Sequence, residues 1–97
     1  MHVIARRTLV EFWERHAAAR GPLQAWFAEA RHAQWSSPAE ILARYHRADV
    51  LSDDRIVFNI GGNRFRLVAR INYRSGTVFI RFVGTHAEYD RIDAEVI

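Results

Sequence analysis

The stretch RIVFNIGGNRFRLVARINYRSGTVFIRFV, residues 55–83, decides the fold, because apolar and polar residues alternate along most of it. A period of two is typical of β-strands that bury one face. Gly61-Gly62-Asn63 and Arg74-Ser75-Gly76-Thr77 interrupt the alternation with residue types that form hairpin turns. The stretch therefore predicts three consecutive antiparallel strands, over residues 55–60, 64–73 and 77–83.

The second of these strands has two unlike faces. Its odd positions are apolar, whereas its even positions include Arg64, Arg66 and Arg70 and are interrupted by Val68. Because the apolar face must be buried, we expect the arginine face to look away from the core.

The register of the second hairpin is predicted to bring two arginines together. A two-residue turn at Ser75-Gly76 places Arg70 opposite Arg81, and like charges at such a position destabilise a strand pair. An anion between them would reverse the sign of this interaction. Six arginines and no acidic residue lie between Arg55 and Thr85, which favours an anion-binding face over a solvated sheet face of mixed charge.

The third strand leads into a short helix. Gly84 is expected to end the strand, and Thr85 with Glu88 three residues later forms a capping box, so a helix should begin at His86. His86 and Tyr89 are then neighbours on one helix face. The apolar side of the strand is predicted to comprise Val78, Ile80 and Phe82.

The first half of the chain is predicted to be helical. A capping box at 8–11 opens one helix, Gly21-Pro22 separates it from a second, and Ser37-Pro38 begins a third. We interpret residues 46–54 as a loop and residues 3–5 as a short opening strand. The predicted class is α+β, with N-terminal helices packed on one face of a small antiparallel sheet and a short C-terminal helix.

Length and composition limit the classes of protein that remain. The 97 residues are enough for one domain, spanning 1–97, and 49% of them are hydrophobic, which excludes intrinsic disorder as the default. The absence of cysteine excludes a disulfide scaffold, a thiolate zinc site and a cysteine nucleophile. No apolar run approaches the roughly 18 residues of a membrane span, and the first residues do not form a signal peptide. We therefore expect a cytoplasmic protein that does not bind membranes.

All fourteen basic residues are arginine, the residue type that binds phosphate with two parallel donors. Beside such a face, His86 and Tyr89 suit metal-independent cleavage of RNA, in which one group takes the proton of a ribose 2′-OH and another protonates the leaving oxygen. A histidine near a helix start is more often a structural cap when it stands alone. The remaining histidines are scattered without a metal-binding pattern, so we predict no metal and no cofactor.

Two motifs in this order identify a family resemblance. Phe58-Asn59-Ile60-Gly61-Gly62-Asn63 and Thr85-His86-Ala87-Glu88-Tyr89-Asp90, with Ile80-Arg81 between them, resemble the HigB toxins of bacterial type II toxin–antitoxin systems. These toxins are similar to RelE-like mRNA interferases. The resemblance covers nearly the whole chain and implies a RelE-like fold.

The resemblance also implies a function and partners. It implies ribosome-dependent cleavage of mRNA that inhibits translation, and neutralisation by a HigA-like helix-turn-helix antitoxin, with DNA contacted only indirectly through the antitoxin complex. The implied catalytic residues are Arg66, at the scissile phosphate, Arg81, His86 and Tyr89. The residues expected to bind RNA are Asn59, Asn63, Arg64, Arg70 and Arg74. RelE-like toxins often use active-site lysines, and this chain has none.

Two other functions remain open at this point. A non-catalytic RNA-binding or ribosome-binding module could use the same arginine face, and so could a protein-interaction domain that docks an acidic antitoxin. Substitution of His86 or Tyr89 by alanine separates an enzyme, which loses cleavage, from a binding module, which depends chiefly on Arg66 and Arg81.

Overall fold

A five-stranded sheet organises the chain, and the computed structural model describes all residues, 1–97. The strands are β1 (His2–Ile4), β2 (Asp49–Val50), β3 (Arg55–Ile60), β4 (Phe65–Asn72) and β5 (Thr77–Thr85). The helices are α1 (Arg6–Arg15), α2 (Arg20–His32), α3 (Pro38–Arg44) and α4 (His86–Tyr89), with a 3₁₀ turn at Ala17–Ala19. This arrangement confirms the predicted α+β class.

The strand order is β1-β5-β4-β3-β2, and one pair departs from the expected antiparallel pattern. The pairs from β2 to β5 are antiparallel, as predicted, whereas β1 runs parallel to β5. The sheet is therefore mixed. Helices and other strands separate β1 from β5 along the chain, and such a long connection allows two paired strands to run parallel. Strands joined by a short hairpin turn must be antiparallel.

The helices cover one face of the sheet and bury the main core there. Phe58 lies at its centre with no exposed surface, and its ring lies near those of Trp26, Trp35 and Tyr45 at centroid distances of 5.1–6.2 Å. The hydroxyl of Tyr45 donates a hydrogen bond to Glu29, so this partly buried phenol is satisfied. None of the helices combines the length and apolar character needed to cross a bilayer.

The first helix begins three residues earlier than the sequence predicted. α1 starts at Arg6 with Ala5 as its N-cap, and no side chain caps it, so the capping box expected at Thr8 is wrong. The last residue of β1 is separated from α1 by Ala5 alone, and Thr8 therefore falls inside the first turn. The capping box predicted at Thr85 is confirmed, because its hydroxyl accepts from the Glu88 amide while the Glu88 carboxylate accepts from the Thr85 amide.

The predicted register of the second hairpin is wrong. Asn72 pairs with Thr77, so the connection has four residues rather than two, and Arg70 faces Phe79 instead of Arg81. The side-chain oxygen of Asn72 accepts from the Ser75 amide, which stabilises the longer turn. Gly76 completes the turn with a φ of 71°, in the left-handed region that glycine adopts most easily.

Arg81 forms a β-bulge that changes which residues face the core. Ala69 pairs with Ile80 and Val68 with Phe82, which leaves Arg81 without a partner on β4. One extra residue reverses the alternation, so Phe82 lies on the face opposite the helices and not beside Ile80 as predicted. The strand also continues through Gly84, which the sequence analysis had placed at its end.

A second, smaller apolar cluster covers the middle of the sheet face opposite the helices. Val57, Val68 and Ala94 are buried there, and the partly buried Phe82, Tyr89, Ile92 and Ile97 pack against them. Residues 91–97, which we call the 91–97 segment, therefore lie across this face. The predicted cationic face is thus interrupted not only at Val68 but also at Val57, and these buried valines give it an apolar centre.

Candidate active site

The sheet face opposite the helices consists of three rows of side chains across β3 and β4. Asn59 pairs with Arg66 at the α4 end, Val57 with Val68 in the middle, and Arg55 with Arg70 at the far end. Four residues along a strand separate the two arginines of β4, a Cα distance of about 13 Å. The structure thus divides the predicted arginine face into two groups.

The first group, the Arg66 cluster, comprises Asn63, Arg66, His86, Tyr89 and Asp90. An Nη1 atom of Arg66 donates to Oδ1 of Asn63 at 2.8 Å, and its guanidinium carbon lies 5.8 Å from the centre of the Tyr89 ring. Asn63 belongs to the β3–β4 turn, which two glycines with positive φ make possible. The turn and α4 therefore hold the guanidinium from two sides, with no carboxylate paired to it.

The phenol of Tyr89 is held in its protonated form. Partial burial raises its pKa, and the negative charge of Asp49 on β2 raises it further, against a smaller lowering by Arg66. A phenol protonated at neutral pH donates a hydrogen bond or a proton and does not act as a base.

His86 is oriented by a carboxylate that the sequence analysis did not single out. Its Nδ1 lies 3.2 Å from Oδ2 of Asp90, and this is the only hydrogen bond of the imidazole. The spacing of four residues places both side chains on one helix face. This spacing is visible in the sequence and could have identified Asp90 as a partner of His86. A carboxylate at one ring nitrogen fixes the orientation of an imidazole and leaves the other nitrogen for a substrate.

The second group, the Arg70 cluster, comprises Arg55, Arg70 and Arg81. Both Asp53 carboxylate oxygens take part, one accepting from Arg55 at 2.9 Å and the other from Arg70 at 3.2 Å. The two guanidinium groups hold the pKa of the Asp53 carboxyl below its usual value. The sequence analysis missed Asp53, which lies just outside the acid-free stretch that it examined.

One main-chain oxygen completes the Arg70 cluster. The oxygen of Ile97 accepts from Nε and Nη2 of Arg55 at 3.1 and 2.7 Å and from Nε of Arg81 at 3.3 Å. Arg81 and Arg55 therefore share one acceptor oxygen, and the Asp53 carboxylate links Arg55 to Arg70. The bulge places Arg81 beside Val68 and Ala69 of β4, and not opposite Arg70 as predicted.

The other predicted RNA-binding residues lie in three places. The side-chain amide of Asn59 donates to the Arg47 carbonyl at 3.1 Å and so fastens the loop before β2. Arg64 lies over the ring of Phe65 at 5.5 Å, beside the Arg66 cluster. Arg74 lines a cavity of about 270 Å³ with Arg70 at the far end of the sheet. No group of three or more His, Asp or Glu side chains is placed to hold a metal ion.

Comparisons with known proteins identify the family of this chain. A family model described as HigB_toxin, RelE-like toxic component of a toxin-antitoxin system, matches residues 19–92, which include α2 to α4 and the residues of both arginine clusters. The chain belongs to the HigB toxin family. The mRNA interferase toxin HigB of Escherichia coli strain K12 is 32% identical over 92 residues, covering 93% of this chain and 88% of the relative.

Further HigB relatives give the same result. The mRNA interferase HigB of Shigella flexneri shares 32% identity over the same 93% of this chain and 88% of its own length. That of Escherichia coli O6:H1 shares 24% over 94 residues, 95% of this chain and 91% of the relative. As the toxic component of a toxin–antitoxin system, a HigB protein has an antitoxin as its partner.

Proposed function

We propose that this HigB protein is an endoribonuclease that cleaves mRNA on the ribosome and thereby inhibits translation. The observation that carries the proposal is the Arg66 cluster, where an arginine without a paired carboxylate, a protonated phenol and a carboxylate-oriented imidazole come together at one end of the sheet. The names of the relatives, which are mRNA interferases, support the same substrate.

The proposed chemistry needs no metal. Arg66 binds the scissile phosphate, and its charge stabilises the two negative oxygens as the phosphorus becomes five-coordinate. His86, oriented by Asp90, takes the proton of the ribose 2′-OH, whose oxygen then attacks the phosphorus. The bond from phosphorus to the 5′ oxygen breaks, and Tyr89 gives its proton to that oxygen, because a phenol is a stronger acid than an alcohol. The products are a 2′,3′-cyclic phosphate and a 5′-OH.

Arg81 receives a binding role in this proposal. Its place in the Arg70 cluster, together with the bulge that directs it there, favours contact with a phosphate away from the scissile bond. Arg64 and Asn63 flank Arg66 and are assigned to the RNA on either side of it. Asn59 contributes by holding the loop before β2.

The partners follow from the same proposal. Ribosome-bound mRNA places the activity in the cytoplasm, and the antitoxin is proposed to be a HigA-like helix-turn-helix protein that alone contacts DNA. The formal charge of +3 and the arginine-only basic residues suit an anionic ribosomal surface.

Primer extension on translated mRNA tests the function. The parent protein is induced in parallel with His86→Ala and with the control Arg20→Ala, which removes an exposed arginine on the helix side. We expect codon-phased 5′ ends with the parent and the control, and their loss with His86→Ala. Loss of about 10²- to 10⁴-fold in cleavage rate is the contribution expected of a proton-transfer residue.

A binding experiment separates the enzyme from a non-catalytic binding module. Ribosome sedimentation of His86→Ala should match that of the parent, because His86 acts on the reaction and not on docking. Translation arrest by His86→Ala without any mRNA cleavage would contradict the proposal and favour the non-catalytic module.

A further inference from the structure

We propose that the Arg70 cluster is a second phosphate-binding site, which takes an RNA phosphodiester two nucleotides from the one at Arg66 and which the 91–97 segment occupies when RNA is absent. This inference rests on the proposed function for the identity of its ligand. It adds Arg55 and the 91–97 segment to the RNA-binding surface.

Three guanidinium groups meet in the Arg70 cluster, and Asp53 is the only side-chain carboxylate paired with them. It pairs with the buried Arg55 and with Arg70, whereas no side-chain carboxylate pairs with Arg81. The side chains of the cluster therefore carry an excess of positive charge, which favours an anionic ligand.

The Ile97 oxygen shows the geometry that a phosphate oxygen would meet. It accepts three hydrogen bonds from two guanidinium groups, at 2.7, 3.1 and 3.3 Å. Convergent guanidinium donors of this kind are the usual arrangement for an oxyanion, and a phosphate oxygen would be held there by charge-assisted hydrogen bonds.

The 91–97 segment is held by few contacts and can be displaced. It has no regular secondary structure. It is attached through Ile92, Ala94 and Ile97 on the apolar centre, through the three hydrogen bonds to the Ile97 oxygen, and through a 3.2 Å contact between the exposed Ser52 and Glu95. Segments with so little buried surface are those that open most readily.

The spacing of the two clusters selects the length of the RNA. The Cα atoms of Arg66 and Arg70 lie about 13 Å apart along β4, which is longer than one nucleotide step, so the second phosphate is placed two steps from the first. A ligand with three phosphodiesters can therefore contact both clusters, whereas a ligand with one can contact only one of them.

Binding of uncleavable 2′-O-methyl RNA tests the inference without requiring catalysis. The affinities of a dinucleotide and a tetranucleotide are measured for the parent, Arg70→Ala and the control Arg20→Ala. We expect Arg70→Ala to weaken the tetranucleotide about tenfold and to reduce its salt slope by about one, with the dinucleotide unchanged. Equal weakening of both ligands, or an equal effect of Arg20→Ala, would overturn the second site.

A second pair of variants tests the 91–97 segment. Ala94→Asn places an uncharged polar group against the valines, and Ser52→Ala removes a peripheral contact without disturbing the core. Both should raise tetranucleotide affinity severalfold, because less free energy is needed to displace the segment. Unchanged or lower affinity in both variants, with the fold retained by circular dichroism, would overturn the proposed occupation.

The two proposals fail in different ways. Absence of cleavage by the parent protein with a length-dependent contribution of Arg70 would contradict the nuclease and leave the second phosphate site intact. Cleavage by the parent with no change in tetranucleotide binding for Arg70→Ala would overturn the second site, and would favour an acidic protein partner for the Arg70 cluster.

Discussion

Tyr89 has two functions that a single substitution separates. Its ring lies against the Arg66 guanidinium and packs on the small apolar cluster, whereas its hydroxyl is the group proposed to supply a proton. The first function is structural and the second is chemical. A phenylalanine keeps the ring and removes only the hydroxyl.

We therefore expect Tyr89→Phe to retain stability and RNA binding and to lose cleavage by about 10²- to 10⁴-fold. Single-turnover cleavage of ribosome-bound mRNA measures the rate, and 2′-O-methyl RNA measures binding. A cleavage rate within twofold of the parent would remove the proton-transfer role from Tyr89.

Asp53 forms ion pairs with two arginines, and its backbone has an unusual conformation. Its φ of 56° lies in the left-handed region, which aspartate and asparagine tolerate better than most residues. Asp53→Asn therefore keeps the backbone and removes the charge that Arg55 and Arg70 share.

The difference in stability between the parent and Asp53→Asn should depend on pH. The folded protein lowers the pKa of Asp53 below its ordinary value of 3.8, so the ion pairs stabilise the fold above that pH and are lost as the pH falls through the lowered pKa. The parent should be more stable than Asp53→Asn at pH 7, and the difference should disappear in strong acid. Urea unfolding at both pH values measures it, and a difference that persists in acid would contradict the role of the charge.

At the scale of elements, the packing of Phe82 in β5 requires that residue 84 has no side chain. A Cβ atom there would lie 2.5 Å from the ring of Phe82, which the bulge at Arg81 has turned to this face. The bulge, the phenylalanine and the glycine form one local arrangement, and α4 begins directly after it.

Gly84→Ala should destabilise the protein by about 1–3 kcal/mol, because the Phe82 ring must move. Gly21→Ala is the matched control, since nothing lies within 4 Å of a Cβ at this helical position. It should be neutral or slightly stabilising. Urea unfolding compares the two, and equal effects would contradict the steric argument.

The elements also show what could be predicted from the sequence. The alternation in residues 55–73 predicted β3 and β4, and Thr85 with Glu88 predicted α4, because each of these signals is local. The β5 register could not be predicted in this way, since Arg81 reads as an ordinary alternating residue until a partner strand is known. The contact of Tyr89 with Arg66 followed from the family motifs, whereas Asp53 and Ile97 approach the Arg70 cluster only through tertiary structure.

At the scale of the whole molecule, one sheet separates two cores of unequal size. The helices bury seventeen residues on one face, and the 91–97 segment covers three buried residues on the other. The free energy of unfolding should therefore depend mainly on the residues of the helix side.

Phe58→Ala should cost about 3–5 kcal/mol, since the ring is fully buried among aromatic neighbours. This is a large part of the roughly 5–15 kcal/mol that stabilises a domain. Val96→Ala, at a side chain 74% exposed, should change stability by less than about 0.5 kcal/mol. Thermal and urea unfolding measure both, and a small loss for Phe58→Ala would place the stabilising core elsewhere.

The extra residue in β5 makes the number of residues in this strand a constraint on the family's evolution. If Arg81 paired as an ordinary strand residue, Phe82 would face the already filled helix side and Val83 would turn outward. An insertion or a deletion between Phe82 and Thr85 would reverse the residues after it in the same way. The residues that follow would then enter α4 from the wrong side of the sheet. Insertions and deletions should therefore accumulate in the two hairpin loops and be absent between Phe82 and Thr85, even where the residue types in that interval change.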